Sequence, residues 1–214
     1  MIHGAAVASL SWFVLTVVLE HVLVSELEPT RHTISEYANA PGAAGPLMVA
    51  GFLIWAAALA ATAVLVARSP VQGGSGGTRL LHNALFALLL LAASGAILTA
   101  LFPTQTRAGL LPPGQLESNA GRLHAFGSDL IQACFYPAVL VSLILPTPRW
   151  FRILGLALLG VAVAIAPALA VLGVDASGGR QRIQLAAGCG WQFALLAALR
   201  SAAADEAAAR AGHR

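Results

Sequence analysis

Six apolar runs, each long enough to cross a lipid bilayer, constrain this chain more than any other feature. A membrane helix needs about 20 mostly apolar residues to cross a hydrocarbon core roughly 30 Å thick. Runs of that kind cover residues 4–24, 45–67, 80–102, 120–145, 151–173 and 183–199, separated by charge-bearing or Pro/Gly-rich breaks. Composition then excludes a water-soluble fold: 10% of the 214 residues are charged and 58% hydrophobic, against about 25% charged in a soluble domain. Backbone groups in lipid must find partners within their own segment, and no run alternates apolar and polar residues as a barrel strand does, so the runs read as helices. The expected fold is all-α: an integral membrane bundle of six transmembrane helices over residues 1–200, followed by an Ala-rich, charged cytoplasmic tail over 201–214.

The twelve basic residues are all Arg and lie scattered through the loops, so the positive net charge points to no nucleic-acid partner. Their distribution speaks to orientation. Arg68, Arg79, Arg149, Arg152, Arg200, Arg210 and Arg214 fall on the side shared by the two termini, against Arg31, Arg107, Arg122, Arg180 and Arg182 on the other. The positive-inside rule then predicts a multi-pass protein of the cell membrane with both termini cytoplasmic. The start of the chain lacks a cationic n-region, and its apolar run ends in Glu20-His21 rather than a small-residue cleavage site, so it reads as a retained first helix. Cys134 and Cys189 fall inside helices four and six, where buried thiols packing as small apolar groups are expected.

The chemically varied connections, residues 25–44 and 103–119, both lie on the expected outer side. The inner ones are a Gly/Ser linker over 71–78 and a Pro-rich turn over 146–150. No internal repeat supports an inverted-repeat transporter. Helices two and five are almost purely apolar and suit lipid-facing positions; one, three, four and six carry the polar groups and are expected to form the inner bundle, because helices in lipid associate through small residues and side-chain hydrogen bonds. On helix four His124, Ser128 and Gln132 follow at four-residue intervals with Asp129 at the edge of the same face. Asp129 sits roughly 14 Å below the outer end of that helix at about 1.5 Å per residue. Ionised at that depth it costs on the order of 2.5–3.5 kcal/mol unless it is paired or faces water.

Helix six contributes Arg180, Gln184, Gly188 and Gln192 on one face, with Arg182 near the interface, and helix one ends in Glu20 and His21. Carboxylate, imidazole and guanidinium groups thus converge toward one outer mouth, the default location for a binding site. Plainer roles stand beside this: Arg180 and Arg182 anchoring a helix end by snorkelling, and His124 bonding a neighbouring helix. In the first outer loop His32 precedes Thr33-Ile34-Ser35-Glu36, whose Thr33 and Glu36 have the spacing of a capping box. Phe102-Pro103-Thr104 reads as a helix stop. His82 and Asn83, at the inner end of helix three, read as structural.

Taken together, Thr33-Ile34-Ser35-Glu36, Phe102-Pro103-Thr104-Gln105 and Gly121-Arg122-Leu123-His124 resemble the pattern of the family called domain of unknown function 998, over nearly the whole chain. The resemblance implies a multi-pass membrane fold and gives no reaction. It also implies an acidic residue where Gln105 stands, so a carboxylate is missing there, whereas Glu36 and His124 match.

Two functions follow as expectations. The favoured one is a membrane module that binds a small amphiphile or lipid-like ligand with an anionic head, in an outer-facing polar pocket between helices one, three, four and six. Its candidate residues are His124, Asp129, Ser128, Gln132, Arg182, Gln184, Glu36, His32, Glu20 and His21. The alternative is a metal-dependent intramembrane hydrolase in which His32 or His21 and His124, with Asp129 or Glu36, hold a metal that activates water. No H-E-x-x-H, G-x-S-x-G or phosphate-cradling Gly-rich motif is present. A third reading, a structural partner in a membrane complex, predicts that changing Asp129 damages assembly. The lipid bilayer is the one partner the sequence names; it specifies no cofactor and no protein partner.

Overall fold

A computed structural model describes residues 1–69, 76–173 and 176–212. The chain is all-α: α1 (Ile2–Leu23), a 3-10 turn (Ile34–Asn39), α2 (Ala44–Arg68), α3 (Gly76–Leu101), α4 (Asn119–Ile144), α5 (Arg149–Val171) and α6 (Ser177–Gly212). Local chemistry sets several ends. Ser118 Oγ accepts the Gly121 N–H at 3.2 Å and caps α4. Pro148 stands immediately before α5, and Pro103 follows α3 where a proline stops a helix. Residues 71–75 of the expected Gly/Ser linker lie outside the described residues, and Gly76, Gly77 and Thr78 already belong to α3.

Helices α1 to α5 are each long and apolar enough to cross a membrane. The sixth differs from expectation: it begins at Ser177 and runs on to Gly212, because its Ala-rich continuation consists of strong helix formers. Its polar residues keep its hydropathy below that of the other five, yet it traverses the bundle. His3 Nε2 bonds the Leu196 carbonyl at 3.0 Å near one end of α1, and Arg182 Nε donates to His21 Nε2 at 2.6 Å near the other. Thus α1 and α6 lie antiparallel along the length of α1. Met1 and Leu196 mark a terminal end, and the loops over 24–43 and 102–118 form a loop end opposite.

Helices α1, α2, α3 and α4 pack in sequence, α6 lies against α1, α2 and α4, and α5 rests outside on α6. Helix five, expected to face lipid, is the least buried of the five spans, with 11% of its apolar window buried. The lipid-facing place expected for helix two is corrected, since 50% of the α2 span is buried, against 22% of α1. The reason is that an apolar helix satisfies lipid and protein neighbours equally, and small residues decide which it meets. A Cβ on Gly51 of α2 would stand 2.8 Å from Thr16 Cγ2 of α1, and Phe13 of α1 stacks on Trp55 of α2 with ring centroids 4.7 Å apart. The α3–α4 crossing is closer still: a Cβ on Gly95 would lie 2.6 Å from the Gly127 carbonyl oxygen, and one on Gly127 2.8 Å from that of Gly95.

A buried hydrogen-bond chain fixes α6 to α2. Trp55 Nε1 donates to Gln192 Oε1 at 3.3 Å, Gln192 Nε2 to Thr62 Oγ1 at 3.0 Å, and Thr62 Oγ1 to the Ala58 carbonyl at 2.7 Å. Trp191 Nε1 donates to Ser142 Oγ at 3.1 Å and ties α6 to α4. Cys134 and Cys189 are free, buried thiols.

Candidate functional site

The three motifs in the loops and helix starts meet in one layer at the loop end. Glu36, on the 3-10 turn, is almost fully buried. Its Oε1 accepts from the Thr33 N–H at 3.3 Å, Thr33 Oγ1 at 2.9 Å and the Gly109 N–H at 2.9 Å, and its Oε2 from the Ala108 N–H at 2.9 Å. The capping box is therefore present, and it extends across the fold to a second loop. Ala108 and Gly109 have φ of 54° and 78°, which turns two successive N–H groups toward the carboxylate as an anion-binding nest. Asn39 Nδ2 donates to the Thr104 carbonyl at 2.7 Å, and Gln105 Oε1 accepts the Ser118 N–H at 2.7 Å. His124 Nδ1 donates to the Phe102 carbonyl at 2.8 Å, so the imidazole satisfies an open carbonyl at the end of α3. The side chains carrying the resemblance thus build a roof.

The start of α6 is clamped beneath this layer. Gly179 N donates to the Thr30 carbonyl at 2.8 Å, Ser177 Oγ to the Arg31 carbonyl at 2.7 Å, and the Ile34 N–H to Gln181 Oε1 at 2.6 Å. A side chain at Gly178 would collide with the His32 and Pro29 carbonyl oxygens. Arg182 Nη1 donates to the His32 carbonyl at 2.7 Å, and its guanidinium lies 5.4 Å from the Tyr37 ring centroid. Its Nε bond to His21 Nε2 makes that imidazole the Nδ1–H tautomer, with Nδ1 donating to the Val17 carbonyl. Burial pushes the Tyr37 phenol above its ordinary pKa, and the neighbouring guanidinium opposes that rise. Both carboxylate oxygens of Glu20, and Arg182 Nη2, are buried without a hydrogen-bond partner among the described residues.

Below the roof is a cavity of about 110 Å³ between α2, α3, α4 and α6. Its polar lining is uncharged and includes Ser35, Thr99, Ser128, Gln132, Gln181 and Gln184. The same wall carries aromatic and aliphatic groups, Phe52, Trp55, Leu59, Leu89, Leu185 and Trp191, together with Tyr136 and, beyond Trp191 on α6, the buried amide of Gln192. Gln184 Nε2 donates to the Tyr136 hydroxyl at 3.2 Å and to the Ala162 carbonyl at 3.3 Å, leaving the amide oxygen free of a described partner. A second cavity, of about 220 Å³, lies at the terminal end with His82 and Asp205 on its wall.

Of the ten candidate residues, Ser128, Gln132 and Gln184 line the first cavity. Helix α2, not α1, supplies its remaining wall, which corrects the expected helix set. Among the described residues no charged side chain lines this cavity. Arg182, His21 and His32 are joined in the loop-end clamp, with Glu20 buried on α1; Glu36 and His124 belong to the roof. Asp129 is exposed on the outside of α4, away from the cavity. Sequence reasoning missed Gln181 and Tyr136, and the signal for Gln181 was available: it lies three residues before Gln184 on the same helical face. The set expected for a hydrolase does not converge, and among the described residues no three His, Cys, Asp or Glu side chains come together to hold a metal.

The family described as Protein of unknown function (DUF998) matches residues 6–198, so the chain belongs to that family. No curated protein and no solved structure matches it.

Proposed function

We propose that this DUF998 family member is a binding module whose intramembrane cavity takes one chain of an amphiphile, with an uncharged, hydrogen-bonding head held beneath the roof. The observation that carries the reading is the composition of the wall: uncharged amides and hydroxyls stand beside aromatic and aliphatic groups. A lipid-like molecule presents the same two kinds of surface. The lining has no charge to match, so a glycerol-, amide- or hydroxyl-bearing head suits it better than a carboxylate or phosphate. At about 110 Å³ the cavity is smaller than the roughly 300–1,000 Å³ that engulfs a drug-sized ligand, so part of the amphiphile extends beyond it. The arginine bias supports placing the loop end outside a cell membrane and both termini in the cytoplasm.

Tryptophan quenching tests this. Trp55 and Trp191 line the cavity, whereas Trp12 and Trp150 are 48% and 46% exposed on the bundle surface. In a Trp12→Phe/Trp150→Phe protein in nanodiscs, a single-chain monoacylglycerol brominated on its chain is expected to quench the remaining emission saturably. The same chain on an anionic phosphate head is expected to quench at least tenfold less effectively. Quenching that rises linearly for both, with no saturation, contradicts a defined site.

A further inference from the structure

The walls of the first cavity are not equally closed. Toward the loops it is shut: Ile34, Ser35 and Thr99, which line it there, are 3%, 5% and 3% exposed. Its α2 wall, with Phe52, Trp55 and Leu59, is buried, and so are Leu89 and Ala92 of α3, beside a half-buried Leu88. Toward the terminal end Ala138, Trp191 and Gln192 are buried as well. Exposure gathers where α4 faces α6. Gln132 of α4 is the one exposed residue among the described lining residues; Ser128 and Tyr136 beside it, and Gln181, Gln184 and Leu185 of α6, are half-buried.

The packing explains why this seam stays open. Gly95 and Gly127 hold α4 close to α3, while hydrogen bonds from Gln181, Gln184 and Gln192 hold α6 to the 3-10 turn, α5 and α2. Each helix is therefore fixed to other neighbours. The two meet toward the terminal end, where a Cβ on Gly188 would lie 3.4 Å from the Phe135 ring. Above that contact one hydrogen bond crosses the gap, from Gln184 Nε2 to the Tyr136 hydroxyl at 3.2 Å. Gln132 makes no hydrogen bond with a described residue. It stands thirteen residues into α4, about 20 Å from the helix start at 1.5 Å per residue. On α4, Leu123 and Phe126 are exposed on its loop-end side, and Leu140 and Ile144 beyond it. Apolar surface above and below places the opening at hydrocarbon depth.

We infer that the amphiphile reaches the cavity sideways from the bilayer, through this mouth between α4 and α6, and not from water through the loops. The inference rests on reading the cavity as an amphiphile site. It gives a path to the part of the molecule that about 110 Å³ cannot hold: the rest of the chain runs back through the mouth into lipid. The rim carries two amides and a phenol, Gln132, Gln184 and Tyr136, which offer an uncharged head hydrogen bonds as it passes. The ligand class narrows accordingly to molecules already dissolved in the membrane.

Photolabelling in nanodiscs tests it. A monoacylglycerol with a diazirine at the far end of its chain is expected to label residues 128–136 of α4 and 181–188 of α6, and excess unmodified monoacylglycerol to reduce that labelling at least tenfold. Labelling around Val163 of α5, which is 57% exposed, reports bulk lipid and is expected to resist the competitor. Gln132→Trp fills the mouth and is expected to lower the competed labelling at least tenfold. Gln132 is exposed and makes no hydrogen bond with a described residue, so this variant should unfold thermally no earlier than the parent, which separates a blocked mouth from lost folding. Competed labelling confined to residues 33–36 and 104–109 would place the entry in the loops and overturn the inference while leaving the site, as would competed labelling indifferent to Gln132→Trp. Competed labelling on no peptide would mean that the cavity takes no monoacylglycerol, and the proposed function would fall together with this inference.

Discussion

Replacing Glu36 by Gln isolates the contribution of charge to the roof, because the side chain keeps its shape while one carboxylate oxygen becomes an NH₂. Four donors point at this carboxylate: the Thr33 N–H and hydroxyl, and the N–H groups of Ala108 and Gly109. Whichever way the amide turns, its NH₂ opposes at least one of them. One hydrogen bond to a charged group is then lost, worth about 1.5–3 kcal/mol, and the remainder become neutral and weaker. Ala108 also loses a contact that holds it at φ 54°, a region that costs a non-glycine residue roughly 1–2 kcal/mol. A total of about 3 kcal/mol corresponds to a local opening constant raised on the order of a hundredfold. Hydrogen exchange followed by mass spectrometry reads it directly: peptides covering 33–39 and 104–112 are expected to exchange about a hundredfold faster, with α2 and α3 unchanged. A change under threefold in those peptides, or an equal acceleration throughout the bundle, would refute the assignment of Glu36 as the local tie between the loops.

Three further outcomes follow from the packing. Gly95→Leu would drive a side chain into the Gly127 carbonyl and separate α3 from α4; the variant is expected to lose its monodisperse peak in size-exclusion chromatography, whereas Gly160→Leu, with open space around it, keeps it. Glu20→Met replaces a buried carboxylate that has no hydrogen-bond partner among the described residues, a situation costing about 1–3 kcal/mol, so the Tm of the detergent-purified protein should rise by several degrees at about 2–4 °C per kcal/mol. His124→Ala removes the bond to the Phe102 carbonyl; at about 0.6 kcal/mol on average and at most roughly 1.7 for interhelical bonds in membranes, it should lower the Tm by a few degrees and leave saturable quenching by the brominated monoacylglycerol in place.

The apolar runs made the helices legible, since length and hydropathy alone mark a segment that crosses lipid, and α1 to α5 lie close to where they were expected. The capping spacing of Thr33 and Glu36 was legible for the same local reason. What could not be read was rotation. Periodicity fixes the angles between residues on one helix but not which side meets a neighbour. On α4 that choice falls to Gly127: its close approach to Gly95 turns the glycine side toward α3 and brings His124 into the α3 end. Two residues are about 200° apart on a helix, so the same rotation sends Asp129 outward. A stripe that looked like one inward face thus divides into a structural histidine, two cavity residues and an exposed acid. Helix α2 was misplaced because hydropathy does not distinguish lipid from protein as an apolar neighbour. Gly51, open to the approach of Thr16, was the clue to its burial.

The cavity itself is tested most directly by counting what it holds. Native mass spectrometry of the protein released from nanodiscs containing a monoacylglycerol is expected to show one retained amphiphile per chain. It should be absent from a Leu89→Trp variant, whose larger ring fills the apolar wall, and weakened at least tenfold in Gln184→Leu, which removes the free amide oxygen. Equal occupancy in all three proteins, or none in the wild type, would contradict the account.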